Sequence, residues 1–125
     1  MSAVANPKLK DPLVDRLFEA VLHLRTLEEC YRFFEDVCTV GEIKAMAQRF
    51  EVARLLWEGH TYEEIAQRVG ASSATISRVR RFLEYGADGY KLALERLLGA
   101  RKEPHKGPRR TSSEARSPRR SPKGA

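Results

Sequence analysis

The chain has 125 residues, a mass of 14.2 kDa, 42% hydrophobic residues and a formal charge of +6. That length favours one domain with a small core, which a partner subunit could enlarge. It holds no apolar run long enough to cross a membrane, and MSAVANPKLKDP lacks the apolar centre of a signal peptide, so a cytoplasmic protein is expected.

Residues 1–10 read as a flexible N-terminal arm. Asp11 is placed to cap a first helix, with Pro12 at the first position, where no N–H is needed. Leu13, Leu17, Val21 and Leu24 line one face, and Val14, Phe18 and Leu22 widen it, so the stripe covers more than one neighbour. Thr26 and Glu29 form a capping box for a second helix containing Cys30, Tyr31, Phe33, Phe34 and Val37. Thr39 and Glu42 form another, opening a long helix to about Glu58 that carries Ile43, Met46, Ala47, Phe50, Ala53, Leu56 and Trp57; Gly59 ends it.

The stretch Thr61–Phe82, TYEEIAQRVGASSATISRVRRF, organises the rest. Thr61 and Glu64 are a third box, and Gly70 stops the helix they start. Ser72 or Ser73 can cap the next helix, whose apolar stripe is Ile76, Val79 and Leu83. Apolar Ile65, small Ala66, apolar Val69, Gly70 in the turn, and apolar Ile76 and Val79 match the helix-turn-helix pattern at all six places, over residues 61–85. Opposite the stripe lie Ala74, Ser77, Arg78 and Arg81, with Ser72, Ser73 and Thr75 at the helix start and Arg80 alongside. Such a helix can enter the major groove: its N-terminal amides suit phosphate, Arg can read guanine in a bidentate fashion, and Ser is less selective. The plain alternative is a helical hairpin with a solvated Arg/Ser face.

Gly86 closes that helix, Asp88 can cap a last one from Gly89 to Leu98, and Gly99 ends it. No segment alternates like a strand, so the expected fold is all-α with six helices in residues 11–100. The apolar stripes of the first, second and last helices fit either a compact bundle or, better, a dimer core.

The charge is unevenly spread. Residues 101–125 hold nine Lys/Arg against two Glu, a net of +7, while residues 1–100 hold fourteen against fifteen acids, a net of −1. The last 25 residues are rich in Pro, Ser, Arg and Lys and read as a disordered basic tail. Ser117-Pro118-Arg119-Arg120 and Ser121-Pro122-Lys123 resemble Ser-Pro-basic repeats that lie in A·T-rich minor grooves; a generic tail adding nonspecific phosphate attraction explains them as well.

Cys30 and Cys38 read as buried reduced thiols, and His23, His60 and His105 form no ligand spacing with them. No P-loop, Ser/His/Asp set or paired carboxylates stand out, so neither an enzyme nor a cofactor or metal site is expected.

The blocks Gln48-Arg49-Phe50-Glu51-Val52-Ala53, Gly59, Thr61 to Arg81 and Tyr85-Gly86-Ala87-Asp88-Gly89-Tyr90 resemble the Trp repressor superfamily, and within it the Trp-repressor-related YerC/YecD group. The resemblance implies an intertwined all-α homodimer that binds operator DNA as a transcriptional regulator, by analogy a repressor. Family positions that touch DNA fall on Ser73, Ala74, Ser77 and their neighbours. Two arginines that bracket the tryptophan corepressor correspond to Arg49 and Arg78, and a pocket threonine to Thr39. Two departures argue against tryptophan as effector: bulky Val79 replaces a glycine beside the indole, and Phe82 replaces a serine that meets the ligand's amino group. Arg49 then reads better as a surface ion-pair or helix-packing residue. The rival function is a protein-interaction module of the same fold docking on the transcription machinery. An interaction face presents apolar or aromatic anchors; Ala74, Ser77, Arg78 and Arg81 offer none.

Overall fold

The computed structural model describes residues 6–101, and its six helices are α1 (Pro12–Leu22), α2 (Leu27–Val37), α3 (Val40–Trp57), α4 (Tyr62–Val69), α5 (Ser73–Tyr85) and α6 (Gly89–Leu98). Of the expected arm, Pro7–Leu9 makes a 3-10 turn capped by the Asn6 side chain. Among the described residues there is no strand, and no helix is long and apolar enough to cross a membrane. The basic tail beyond Arg101 and the start of the arm lie outside the described residues.

Side-chain caps set most helix starts. The Asp11 carboxylate accepts from the Leu13 amide at 2.7 Å, and Pro12 takes the first position of α1. The Thr39–Glu42 box is reciprocal, with bonds of 2.8 and 3.1 Å, and so is Thr61–Glu64, with bonds of 3.0 and 3.2 Å. Two expectations need correction. Thr26 caps α2 by accepting from the Glu29 amide, but the Glu29 carboxylate accepts from the Arg25 amide, one residue before the expected donor. Asp88 makes no side-chain cap to α6; its backbone is left-handed at φ 66°, and its carboxylate stands 3.8 Å from the Lys91 ammonium instead.

The chain groups into two compact units, Met1–Lys44 and Ala45–Ala125. In the first, α1 and α2 bury no residue at all. Phe33 and Phe34 meet edge to face at 5.2 Å, while Leu13, Leu22, Leu27 and Tyr31 stand between 69% and 81% exposed. A stripe that wide, left in water on a single chain, is a surface that needs a cover.

The core belongs to the second unit. Val52, Ala53, Leu55, Leu56 and Trp57 of α3, Ile65 of α4, Ala71 in the turn, Ile76, Val79 and Leu83 of α5, and Leu94 of α6 are all buried. Each fully buried Leu, Ile or Val contributes about 1.5–3 kcal/mol. Leu94 therefore serves the chain's own core, whereas Leu97 on the same helix is exposed. Phe50 and Tyr90 stack at 6.4 Å and tie α3 to α6.

A chain of charges holds the passage from α3 into α4. Arg54 hydrogen-bonds both Glu51 and Glu58, each at 2.9 Å, and His60 stands 3.7 Å from Glu58 and 3.2 Å from Glu64. The Arg54 bonds hold the Glu51 carboxyl below its ordinary range. α4 then ends at Gly70, whose backbone is left-handed (φ 76°, ψ 21°) and whose amide donates to the Ala66 carbonyl at 2.9 Å.

A Cβ at Gly70 would meet no neighbour, so a side chain there is penalised through φ alone. Gly70→Ala is expected to lower the unfolding free energy by about 1–2 kcal/mol in urea titrations. An unchanged midpoint would show that the turn has another low-energy geometry.

Candidate nucleic-acid interface

The two helices of the central stretch divide their residues cleanly. Ile76, Val79 and Leu83 turn one face of α5 into the core, and that fixes what the other face can do. Ser73, Ala74, Ser77, Arg78 and Arg81 are all exposed on α5. Among the described residues neither Arg78 nor Arg81 is ion-paired; the Arg81 guanidinium lies 5.7 Å from the centroid of the Phe82 ring.

Ser72, not Ser73, is the N-cap. Its Oγ accepts from the Thr75 amide and donates to Thr75 Oγ1, both at 3.1 Å. These two hydroxyls are thus engaged with each other. The amides of Ser73 and Ala74 come before the first intrahelical bond, which runs from Ile76 to Ser72, so they remain for an acceptor at the positive end of the helix dipole. Arg80 differs from its neighbours: it is half-buried, and its charge acts on the Glu84 carboxylate.

The other end of α5 holds an arrangement that sequence reading missed. Glu84 receives both Nη groups of Arg101, at 2.7 and 3.4 Å. The same guanidinium lies over the Trp57 indole, 5.3 Å from its centroid. Trp57 Nε1 and Arg101 Nε are buried without a partner among the described residues, so the guanidinium depends on Glu84 for its charge compensation. Arg101 follows the last helix by three residues and lies 17 positions from Glu84; no local spacing signals such a pair.

The residues of the expected ligand pocket are placed as follows. Arg49 is exposed on α3, Arg78 is exposed on α5, and Thr39 belongs to the first unit, where it caps α3. Val79 is buried in the core and Phe82 is half exposed. Among the described residues no group of His, Cys, Asp and Glu could hold a metal ion; Cys30 and Cys38 are both free thiols, but they are half-buried and not buried as expected, because α2 buries no residue in the single chain.

The fold and this surface define the class: a six-helix, all-α protein built around a helix-turn-helix. The chain belongs to the Trp repressor family, whose model, described as Trp repressor protein, matches residues 13–98. It is 57% identical over 90 residues to the uncharacterized protein YerC of Bacillus subtilis (strain 168), covering 72% of this chain and 86% of that one. Among solved structures it is similar to a TrpR-like protein from Eubacterium eligens ATCC 27750, with 56% identity and a TM-score of 0.73 over 78% of this chain and all of the other. It is also similar to a candidate Trp repressor from Staphylococcus aureus, with 45% identity and a TM-score of 0.74 over 80% of this chain and all of that one.

The Glu84–Arg101 pair has a pH signature. The Arg101 hydrogen bond, foremost, holds the Glu84 carboxyl below its ordinary range; burial opposes this, and the charges of Arg101, Arg80 and Lys91 add to the lowering. A group depressed in the folded state stabilises above its unfolded value, about 4.3 for Glu, and loses that contribution as pH falls through the folded value. Glu84→Gln is therefore expected to lower stability at neutral pH and to flatten the loss of stability below about pH 4.3. Parallel acid limbs for the variant and the parent in urea titrations would remove the pair from the account.

Proposed function

We propose that the chain is a sequence-specific DNA-binding transcriptional regulator, a repressor, that reads a palindromic operator as a homodimer through α5. The observation that carries this is the division of α5: Ile76, Val79 and Leu83 are spent on the core, and Ser73, Ala74, Ser77, Arg78 and Arg81 stand free on the same helix. Membership of the Trp repressor family supports it. Ser73 and its amide, with that of Ala74, suit a phosphate; Ser77, Arg78 and Arg81 suit base edges. Ser72 and Thr75 act by holding the helix start, and Arg80 acts by its charge. An interaction module would need apolar anchors on this face, and its N-terminal half has none.

Arg78→Ala and Arg81→Ala are each expected to weaken binding to a duplex selected from a random pool. If the side chain meets a guanine edge, the loss is about 1–3 kcal/mol and one base position relaxes. L-tryptophan in the same titration is expected to leave affinity unchanged. Buried, branched Val79 removes room beside the helix, and Phe82 gives an ammonium no side-chain acceptor. Full affinity and full base preference in both arginine variants would take the recognition role away from α5.

The dimer rests on α1 and α2. Leu13, Leu17 and Phe18 are exposed, Val21, Phe33 and Phe34 only half-buried, and exposed Leu97 of α6 adds to the apolar surface. A second copy covers such a face by symmetry, and two recognition helices can then sit roughly 34 Å apart, one turn of B-DNA. Light scattering at micromolar concentration is expected to give twice the chain mass of 14.2 kDa, with a melting temperature that rises with concentration. A species of single-chain mass with a concentration-independent melt would exclude the dimer.

A further inference from the structure

We propose that Phe82 is a positioning residue for Arg81: its ring holds the guanidinium against α5 and leaves the N–H groups of that guanidinium unspent for a base edge. The proposal rests on the reading of α5 as the DNA-recognition helix and adds a residue to which the helix-turn-helix pattern gives no part.

The first ground is how the arginines of this unit are held. Arg54 gives Nε and both Nη groups to Glu51 and Glu58, and Arg101 gives both Nη groups to Glu84. Those donors are committed to carboxylates of the protein itself. Arg81 is held differently. Its guanidinium lies 5.7 Å from the centroid of the Phe82 ring, and among the described residues it makes no ion pair. A ring attracts the cation through its π face, whereas guanine is read by two parallel N–H donors at the edge of the guanidinium. The two contacts use different parts of the group and can be made together. A carboxylate in place of the ring would compete with guanine for the same fork.

The second ground is Phe82 itself. The ring is 51% exposed, next to wholly buried Leu83, so it lies off the stripe that α5 spends on the core. Neighbouring side chains on a helix point about 100° apart and do not face each other by default. The Arg81 chain therefore bends toward the ring, out of the many rotamers that a long exposed side chain samples. Narrowing those rotamers before DNA arrives lowers the ordering cost of binding. The Phe82 end of the contact is anchored: its carbonyl accepts from the Gly86 amide at 2.9 Å, and a Cβ at Gly86 would collide with that same carbonyl. Arg78, the other exposed arginine of α5, has no aromatic ring under it among the described residues. A change at Phe82 should therefore be felt where Arg81 reads and not where Arg78 does.

The test uses the full chain and a duplex selected by it from a random pool. Phe82→Leu keeps apolar bulk and removes the π face; Phe82→Tyr keeps the face. Phe82→Leu should bind about two- to fivefold more weakly, the scale of an exposed cation–π contact, and should relax the same base position as Arg81→Ala. Phe82→Tyr should restore both affinity and preference. Placed on the Arg81→Ala chain, Phe82→Leu should cost nothing further, as two groups acting through one contact require. In the free protein, the side-chain proton resonances of Arg81 should carry a ring-current shift that Phe82→Leu removes. Parental binding by Phe82→Leu overturns the proposal, as do equal losses in the Leu and Tyr variants or losses that add on the Arg81→Ala chain. A Phe82→Leu protein that melts earlier and weakens uniformly across sequences also overturns it, since the ring would then serve the fold alone. If Arg78→Ala relaxes a base position and Arg81→Ala relaxes none, the reading of α5 stands and the role of Phe82 falls. If neither arginine variant changes binding, both fall.

Discussion

The outward-facing side chains of α5 depend on the burial of that helix's other face. Ile76, Val79 and Leu83 close against the end of α3, where Val52, Leu55 and Leu56 are themselves buried, and against Leu94 of α6. A helix of 3.6 residues per turn cannot choose its two faces independently. Once the apolar stripe is sealed, the positions of Ser73, Ser77, Arg78 and Arg81 relative to the body are set to within the play of their rotamers. The left-handed turn at Gly70 and the Ser72 cap matter because they let α4 and α5 meet this condition with only a few residues between them.

The first unit obeys a different constraint. α1 and α2 have well-formed caps and wide apolar stripes, yet neither buries a residue. Their local order is specified by the chain and their hydrophobic purpose is not met by it. Sequence-specific DNA binding by small helical proteins commonly needs two copies, and under the proposed homodimer the two uncovered helices would tie folding to pairing.

Much of this was legible in the sequence because its signals are local. Thr39–Glu42, Thr61–Glu64 and Asp11–Pro12 each mark a helix start within four residues, and they do so in the structure. All six places of the helix-turn-helix pattern fall where the pattern puts them, with Ile65, Ile76 and Val79 fully buried. The failures share a cause. Glu29 had two backbone donors in reach and took that of Arg25. Asp88 had cap chemistry but adopts a left-handed backbone, which aims its carboxylate elsewhere. Leu94 and Leu97 look alike in sequence, and only the packing of α6 separates core from surface. Arg101 read as the first residue of a polar tail, since its partners Glu84 and Trp57 are brought to it by the fold alone. For the outward face of α5, exposure was legible from periodicity, whereas the engagement of Ser72 with Thr75 and the partial burial of Arg80 were not.

The free face of α5 has a bearing on how such a protein can diverge. Ser73, Ala74 and Ser77 support no packing, and the cap falls to Ser72. Exchanges at exposed positions of this kind usually alter stability by no more than about 0.5 kcal/mol. The three sites can therefore drift through many side chains while the scaffold stays folded. If α5 reads DNA as proposed, duplicated copies could part company in target choice by a handful of steps that each leave the fold intact.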